Sequence, residues 1–185
     1  MLTGMKRFKH GSSLVTVALL VLAGVAGRLL PHAPNATPLT ALALVSGAAL
    51  GGFHSVFIPL ATLLITDLLI GTYSMPVMAS VYACFLLPVT LGRFFLKNDR
   101  RPWLIGGIAS ISSVVFFLVT NFAIWFFDDW YSHDLTGLMG CYAAALPFAR
   151  NMISADLLWS AALFSGLAII EGRKITVLTP AVVKS

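Results

Sequence analysis

Charged side chains are scarce in this sequence. Only 10% of its 185 residues are Asp, Glu, Lys or Arg, whereas 58% are hydrophobic. Ordinary globular chains carry about 25% charged residues, and a small domain cannot remove so much apolar surface from water. The composition therefore excludes an ordinary soluble domain and indicates that the chain lies in a lipid bilayer.

Cysteine and catalytic sequence motifs are scarce as well. The two cysteines, Cys84 and Cys141, cannot build a disulfide framework. The sequence contains no Gly-rich phosphate loop, no HExxH and no GxSxG. These absences exclude a disulfide-stapled secreted protein, and they leave no ATP site in this chain.

Long apolar runs are abundant, and they predict an all-α integral membrane protein that forms one membrane domain, 1–185. A bilayer core needs about 20 apolar residues per helix. Six transmembrane helices are predicted, at about 13–30, 39–52, 55–71, 77–96, 103–127 and 153–171. The apolar stretch 135–148 ends near Pro147 and is short, so it predicts a separate re-entrant or interfacial helix.

The first apolar run could also be read as a secretory signal peptide, since Lys6 to His10 precede it and small residues follow. Because more apolar spans follow, we interpret it as a retained first helix.

The basic residues predict the orientation in the membrane. Six spans with a cytoplasmic N-terminus put ten of the twelve Lys and Arg residues on one side, as the positive-inside rule requires. Both termini are then cytoplasmic. The same clustering beside apolar runs argues against a nucleic-acid-binding face. The three clusters are Lys6, Arg7 and Lys9; Arg93, Lys97, Arg100 and Arg101; and Arg173, Lys174 and Lys184.

The remaining ionisable residues of the spans gather on the opposite, outer side. A charge within a span costs about 2.5–3.5 kcal/mol on insertion scales, so it usually faces a cavity or a partner. Two interpretations stay open: a polar pocket, or two structural ion pairs, Arg28–Asp67 and Arg150–Asp156. The candidate ligand-binding residues are Arg28, His32, Asn35, Asp67, Tyr82, Arg150 and Asp156.

Cys84 lies below this group, roughly 10 Å from the outer end of the fourth span at 1.5 Å per helical residue. A thiol at that depth could serve as a soft metal ligand or as a nucleophile, or simply as a small buried hydrophobic residue. Cys141 is a weaker candidate.

A row of small residues, Ala43, Gly47 and Gly51, lies within the second span. Such a row lets two helices approach closely in lipid. It predicts an internal packing face in preference to a docking face for another protein.

Several stretches together carry a family resemblance. They are Leu30-Pro31-His32 with Pro34-Asn35, Thr66-Asp67-Leu68-Leu69, Met75-Pro76 with Tyr82, Cys141-Tyr142, and Leu146-Pro147-Phe148 with Arg150-Asn151 and Asp156-Leu157-Leu158. They resemble the six-helix S-components of energy-coupling-factor vitamin transporters, which are bacterial cytoplasmic-membrane proteins. Within that class the chain is most similar to BtuM-type cobalamin transporters.

The resemblance implies a function and a set of roles. A vitamin, best guess cobalamin, would bind on the outer side, with Cys84 as the ligand of its cobalt and His32 as a second candidate metal ligand. Cys84 would also be catalytic in removing cyanide from cyanocobalamin, and an energy-coupling transmembrane subunit with ATPases would be the partner. Another vitamin or precursor, a non-transport assembly protein and a membrane thiol enzyme remain alternatives.

Overall fold

The computed structural model describes residues 10–50 and 52–172, with side chains from Leu14 onward. The described residues form helices and connecting loops and contain no strand. Lys6, Arg7, Lys9, Gly51, Arg173, Lys174 and Lys184, which the sequence analysis uses, lie outside them.

The described residues form seven helical segments that follow one another along the chain. Four helices are long and apolar enough to cross a membrane, namely Phe53–Ile70, Met75–Phe95, Pro102–Phe127 and Leu135–Ile170. The second of these consists of two segments in nearly continuous register. The segments are α1 (His10–Leu29), α2 (Leu39–Ala49), α3 (Phe53–Ile70), α4 (Met75–Cys84), α5 (Leu86–Phe95), α6 (Pro102–Phe127) and α7 (Leu135–Ile170).

The prediction of a separate short helix at 135–148 is wrong, because that stretch is the first part of α7, a single helix of 36 residues. Pro147 removes only the hydrogen bond to the carbonyl of residue 143, and proline is tolerated inside membrane helices. Asp134 caps the start of the helix by accepting a hydrogen bond of 2.7 Å from the Gly137 N–H. At 1.5 Å per residue, α7 is about 54 Å long, well beyond a bilayer core of about 30 Å.

A proline also explains the division between α4 and α5. Pro88 lacks an N–H, so the carbonyl of Cys84, four residues earlier, cannot be bonded in the usual helical way. The helix is interrupted at Phe85, directly after Cys84. Cys84 therefore lies at the break.

The short helix α2 is the centre of the fold. It packs on α3, α5 and α7, while α1 packs against α3, α4 against α6, and α6 against α7. Every residue from Leu39 to Ala48 is buried. A helix that is apolar on all sides is expected at such a position, surrounded by other helices.

Two glycines bring α2 and α5 into backbone contact. A Cβ atom added at Gly47 would collide with the carbonyl oxygen of Val89, and one added at Gly92 would collide with the carbonyl oxygen of Leu44. Each helix thus places a glycine against the main chain of the other, as small residues allow in membranes. Gly47 is used in internal packing, in agreement with the interpretation that the sequence favours.

The ends of the helices define two ends of the bundle. The Arg28 end carries the C-terminus of α1 and the loops 30–38, 71–74 and 128–134. The opposite, Glu171 end is tied by an ion pair of 2.7 Å between Arg100, in the loop before α6, and Glu171, just after α7.

The α2–α5 contact makes a prediction about stability. Gly47→Ala and Gly92→Ala should each lower the free energy of unfolding by about 1–3 kcal/mol, because overpacking forces the two backbones apart. Gly107→Ala in α6 is the matched control, since a Cβ there meets nothing within 4 Å. Chemical unfolding in mixed micelles measures all three. Equal stability of the Gly47 and Gly107 variants would contradict the close contact.

Candidate functional site

An ion pair between α1 and α3 organises the Arg28 end. Arg28 Nη2 lies 2.7 Å from Asp67 Oδ1, and the Asp67 side chain is only 2% exposed. Arg28 Nη1 donates a second hydrogen bond of 2.6 Å to Thr66 Oγ1. From α4, the Tyr82 hydroxyl donates to Asp67 Oδ2 at 3.1 Å. The structure therefore forms the first of the two ion pairs that the sequence left open.

Two further side chains border this ion pair. The ring of His32 is exposed and lies 3.1 Å from the Arg28 carbonyl oxygen and 2.8 Å from the Ala33 carbonyl oxygen. Tyr73 lies in the loop between α3 and α4, where burial and the negative charge of Asp67 raise its pKa. The Tyr73 hydroxyl therefore stays protonated across the physiological range and can donate a hydrogen bond.

The second candidate ion pair does not form. Asp156 accepts a hydrogen bond of 2.6 Å from Ser113 Oγ and is 2% exposed, whereas Arg150 is exposed. None of the ion pairs formed by the described residues includes Arg150 or Asp156. Both residues belong to α7, and a spacing of six positions puts them on different helix faces.

A cavity of about 400 Å³ lies at the Arg28 end, between α4, α6 and α7. Val77 and Val81 line it from α4, and the loops contribute Asn35 and Asp128. Small side chains of α7 leave the space open on one side. These are Ala144, Ala145 and Ala149.

The shortness of α2 explains why there is space here. With 11 residues, α2 is far shorter than the 26-residue α6 and the 36-residue α7 beside it. The Pro-rich loop 30–38 covers the N-terminal end of α2, and the Pro34 carbonyl oxygen accepts a hydrogen bond of 3.4 Å from Asn151 of α7. Asn35, with a left-handed φ of 63°, turns this loop at the wall of the cavity.

Six of the eighteen described residues that line the cavity are aromatic, and seven more are aliphatic or methionine. Among the described residues, Asp128 is the only carboxylate that lines the cavity, and no Lys, Arg or His lines it. Asn121 lies on the α6 side, where its amide nitrogen donates to the Phe117 carbonyl oxygen at 2.7 Å. Such a wall favours an aromatic ligand that is neutral or positively charged. The aromatic residues are Tyr73, Phe116, Phe117, Trp130, Tyr131 and Phe148.

The two cysteines occupy different surroundings. Cys84 is half-buried at the end of α4 and is not among the residues that line the cavity. Cys141 is buried, lines the cavity, and its thiol donates to the Asn121 carbonyl oxygen at 3.4 Å. In the part of the chain that the structure describes, no three His, Cys, Asp or Glu side chains group as a metal site.

The structure thus divides the predicted site residues into separate groups. Arg28, Asp67 and Tyr82 meet in the ion-pair cluster, Asn35 lines the cavity, and Asp156 lies among α2, α6 and α7. Tyr73 connects the first two groups, because it borders Asp67 and also lines the cavity. Sequence reasoning missed the aromatic wall and Asn121. A single amide inside the long uncharged span was the signal for the latter.

The Arg28–Asp67 pair makes a prediction. Arg28→Gln and Asp67→Asn should each lower the free energy of unfolding by about 3 kcal/mol, because each leaves a buried charge unpaired. The double variant should be more stable than the sum of the single effects implies, as chemical unfolding in micelles can measure. Asp99→Asn, at the exposed Asp99–Arg101 pair, is the control and should change little. Additive effects would contradict the coupling.

Comparison with known proteins assigns the chain to a family. No curated protein and no solved structure matches the chain. One family model matches residues 8–180, a range that includes every helix described above. The chain therefore belongs to the DUF6580 family, a family of unknown function.

Proposed function

We propose that this protein binds a small organic molecule in the cavity between α4, α6 and α7 and takes it up across the bacterial cytoplasmic membrane. The observation that carries the proposal is the cavity itself, with its volume of about 400 Å³ and its aromatic wall. Sites for small ligands commonly measure about 300–1,000 Å³ and are mostly apolar with a few polar groups. The cavity meets both conditions.

The proposed topology has six spans and two cytoplasmic termini. Four helices have the required length and composition, and the shorter apolar helices, Leu14–Leu29 and Leu39–Ala49, supply the other two. The α2 helix can be short because protein surrounds it and the loop 30–38 continues its course. With the basic residues on the cytoplasmic side, the cavity lies near the outer surface.

The ligand class follows from the charges around the cavity. Asp128 repels an anion, and no cationic side chain of the described residues lines the wall to bind a carboxylate or a phosphate. Six aromatic side chains line the cavity, and the face of an aromatic ring attracts a positively charged group. A neutral or cationic aromatic molecule of vitamin size is therefore the proposed ligand. Arg28, which could have bound an anion, is already paired with Asp67.

Cobalamin is a less favoured ligand within the same proposal. A corrin with its nucleotide tail exceeds a drug-sized molecule, so the helices around this cavity would have to move apart. The thiol beside the cavity belongs to Cys141, whereas cobalt ligation by Cys84 requires the corrin to reach the break between α4 and α5.

Energy for uptake has to come from elsewhere, because the sequence has no nucleotide-binding motif. An energy-coupling transmembrane subunit with ATPases is one source. A docking face for it would lie away from Gly47, which α5 covers. The alternative of a non-transport assembly protein agrees with the Arg28–Asp67 ion pair. It does not explain the cavity.

Filling the cavity tests the proposal. Ala145→Trp should reduce uptake of the preferred ligand at least roughly tenfold, because the indole occupies the binding volume. Ala143→Trp is the matched control, since Ala143 is exposed on the same helix and does not line the cavity. Uptake of a panel of labelled vitamins into vesicles measures both variants. The panel includes cyanocobalamin. If Cys84→Ser abolishes uptake of cyanocobalamin while the tryptophan variants do not, cobalamin is the ligand and Cys84 binds it. Equal effects of the two tryptophans would argue against the cavity.

The charge of the ligand gives a second prediction. Benzyltrimethylammonium should bind more tightly than benzyl alcohol, and benzoate least tightly, because of Asp128 and the aromatic wall. Quenching of tryptophan fluorescence in purified protein measures the three affinities. Asp128→Asn should reduce the preference for the cation over the anion roughly tenfold, whereas Asp129→Asn, one residue further along, should preserve it. A preference for benzoate in the wild type would overturn the ligand class.

A further inference from the structure

Asp156 is a buried carboxylate outside the cavity that the proposed function leaves unused. It lies on α7 and is 2% exposed. Ser113 Oγ of α6 donates to its Oδ2 at 2.6 Å, and the Thr40 hydroxyl of α2 also interacts with it. Three helices therefore contribute oxygen atoms to one small, buried polar site.

Among the described residues, no cationic side chain pairs with Asp156. Neither α2 nor α6 contains a single titratable side chain. On α7 the other titratable residues are Cys141, Tyr142 and Arg150, and Arg150 is exposed on a different helix face. The ion pairs formed by the described residues do not include Asp156. Asp67, the other acid buried in a span, is neutralised by Arg28 at 2.7 Å.

The N-terminus of α2 supplies only part of the missing positive charge. Thr40 is the second residue of α2, whose first N–H groups have no partner within the helix. The partial positive charge of a helix N-terminus favours a nearby carboxylate. It is about half an elementary charge, so the site still lacks a counter-ion.

A second, independent feature points to a ligand at the same place. Ser160 is 1% exposed, and its hydroxyl oxygen has no hydrogen-bond partner among the described residues. Buried polar groups are nearly always hydrogen-bonded, so an orphan hydroxyl calls for an explanation. Ser160 follows Asp156 by four positions and therefore lies beside it on the same face of α7.

We propose that Asp156, with Ser113, Thr40 and Ser160, binds a monovalent cation, either a proton or a sodium ion. A hard cation prefers carboxylate and hydroxyl oxygens. One carboxylate balances one positive charge, and no cluster of three acidic, His or Cys side chains occurs in the described residues to hold a divalent ion. Ionisable residues inside transporters commonly mark ion or proton pathways.

The site is connected to the cavity through α7. Met152 lines the cavity and precedes Asp156 by four positions, one helical turn. Thr40 lies just after the loop 30–38, whose Asn35 lines the cavity. Cation binding is thus placed to change the cavity, and the cation would be the coupling ion for uptake. Only this role as coupling ion rests on the proposed function.

The test uses the full-length purified protein and no organic ligand, so its result is independent of whether the cavity binds one. The thermal unfolding midpoint is measured in NaCl and in KCl at equal ionic strength and pH 8, and then from pH 8 to pH 5 without sodium. The variants are Asp156→Asn, Ser160→Ala and the control Asp129→Asn. A bound ion raises the midpoint by mass action, on the order of 5 °C at a hundredfold excess over its dissociation constant.

Two results support the proposal and identify the ion. A midpoint that rises with sodium but not potassium, and no longer does so in Asp156→Asn, establishes sodium. A midpoint that rises as the pH falls, with an infrared band of a protonated carboxyl group that Asp156→Asn lacks, establishes the proton. In both cases Asp129→Asn behaves like the wild type, and Ser160→Ala weakens cation binding severalfold.

Identical responses of the wild type and Asp156→Asn to sodium and to pH overturn the proposal. If Asp156→Asn does not fold, Ser160→Ala decides instead. An unchanged sodium affinity and an unchanged pH midpoint in that variant overturn the proposal equally.

Discussion

The burial of α2 is the constraint on which the rest of the structure depends. In lipid, apolar side chains gain little from leaving the solvent, so close packing has to hold the helices together. The reciprocal contacts of Gly47 and Gly92 with the opposing backbones fix α2 against α5, and α3 and α7 enclose its other sides. Because α2 is much shorter than its neighbours, its N-terminus lies short of the Arg28 end of the bundle. The loop 30–38 and the cavity fill the space between them.

The lipid also constrains charged side chains, because it cannot hydrate them. Arg28 and Asp67 neutralise each other where α1 meets α3, and Tyr82 and Thr66 satisfy remaining hydrogen-bonding groups. Asp156 receives hydroxyl hydrogen bonds but pairs with no cationic side chain of the described residues. Two acids of similar burial therefore have different roles, one structural and one open to a mobile ion. That difference separates the ion-pair cluster from the proposed coupling site.

The positions of the helices could be predicted from the sequence, because uninterrupted apolar runs between prolines and charges are required by the bilayer. The continuity of α7 could not, since Pro147 and a length beyond one bilayer core both indicated a break. Once α7 is one helix, the spacing of Arg150 and Asp156 alone excludes their pairing across a single turn.

The cavity was beyond sequence reasoning for a different reason. Its wall combines residues from α4, α6, α7 and three loops, and nothing local marks Phe116 or Ala145 as neighbours of Asn35. The sequence favours Cys84 over Cys141 because only depth along a single helix can be counted from it. Depth along one helix does not show which faces of different helices meet. The structure shows this, and it shows the space that the short α2 leaves between them.

The accessibility of Cys141 tests the central claim, an outward cavity that admits cations, most directly. Cys84→Ser leaves Cys141 as the single cysteine of the chain. A cationic and an anionic methanethiosulfonate reagent, both membrane-impermeant, are applied to right-side-out and inside-out vesicles. The account predicts faster modification by the cationic reagent, and from the outer side. Modification from the cytoplasmic side alone, or faster modification by the anionic reagent, would contradict it.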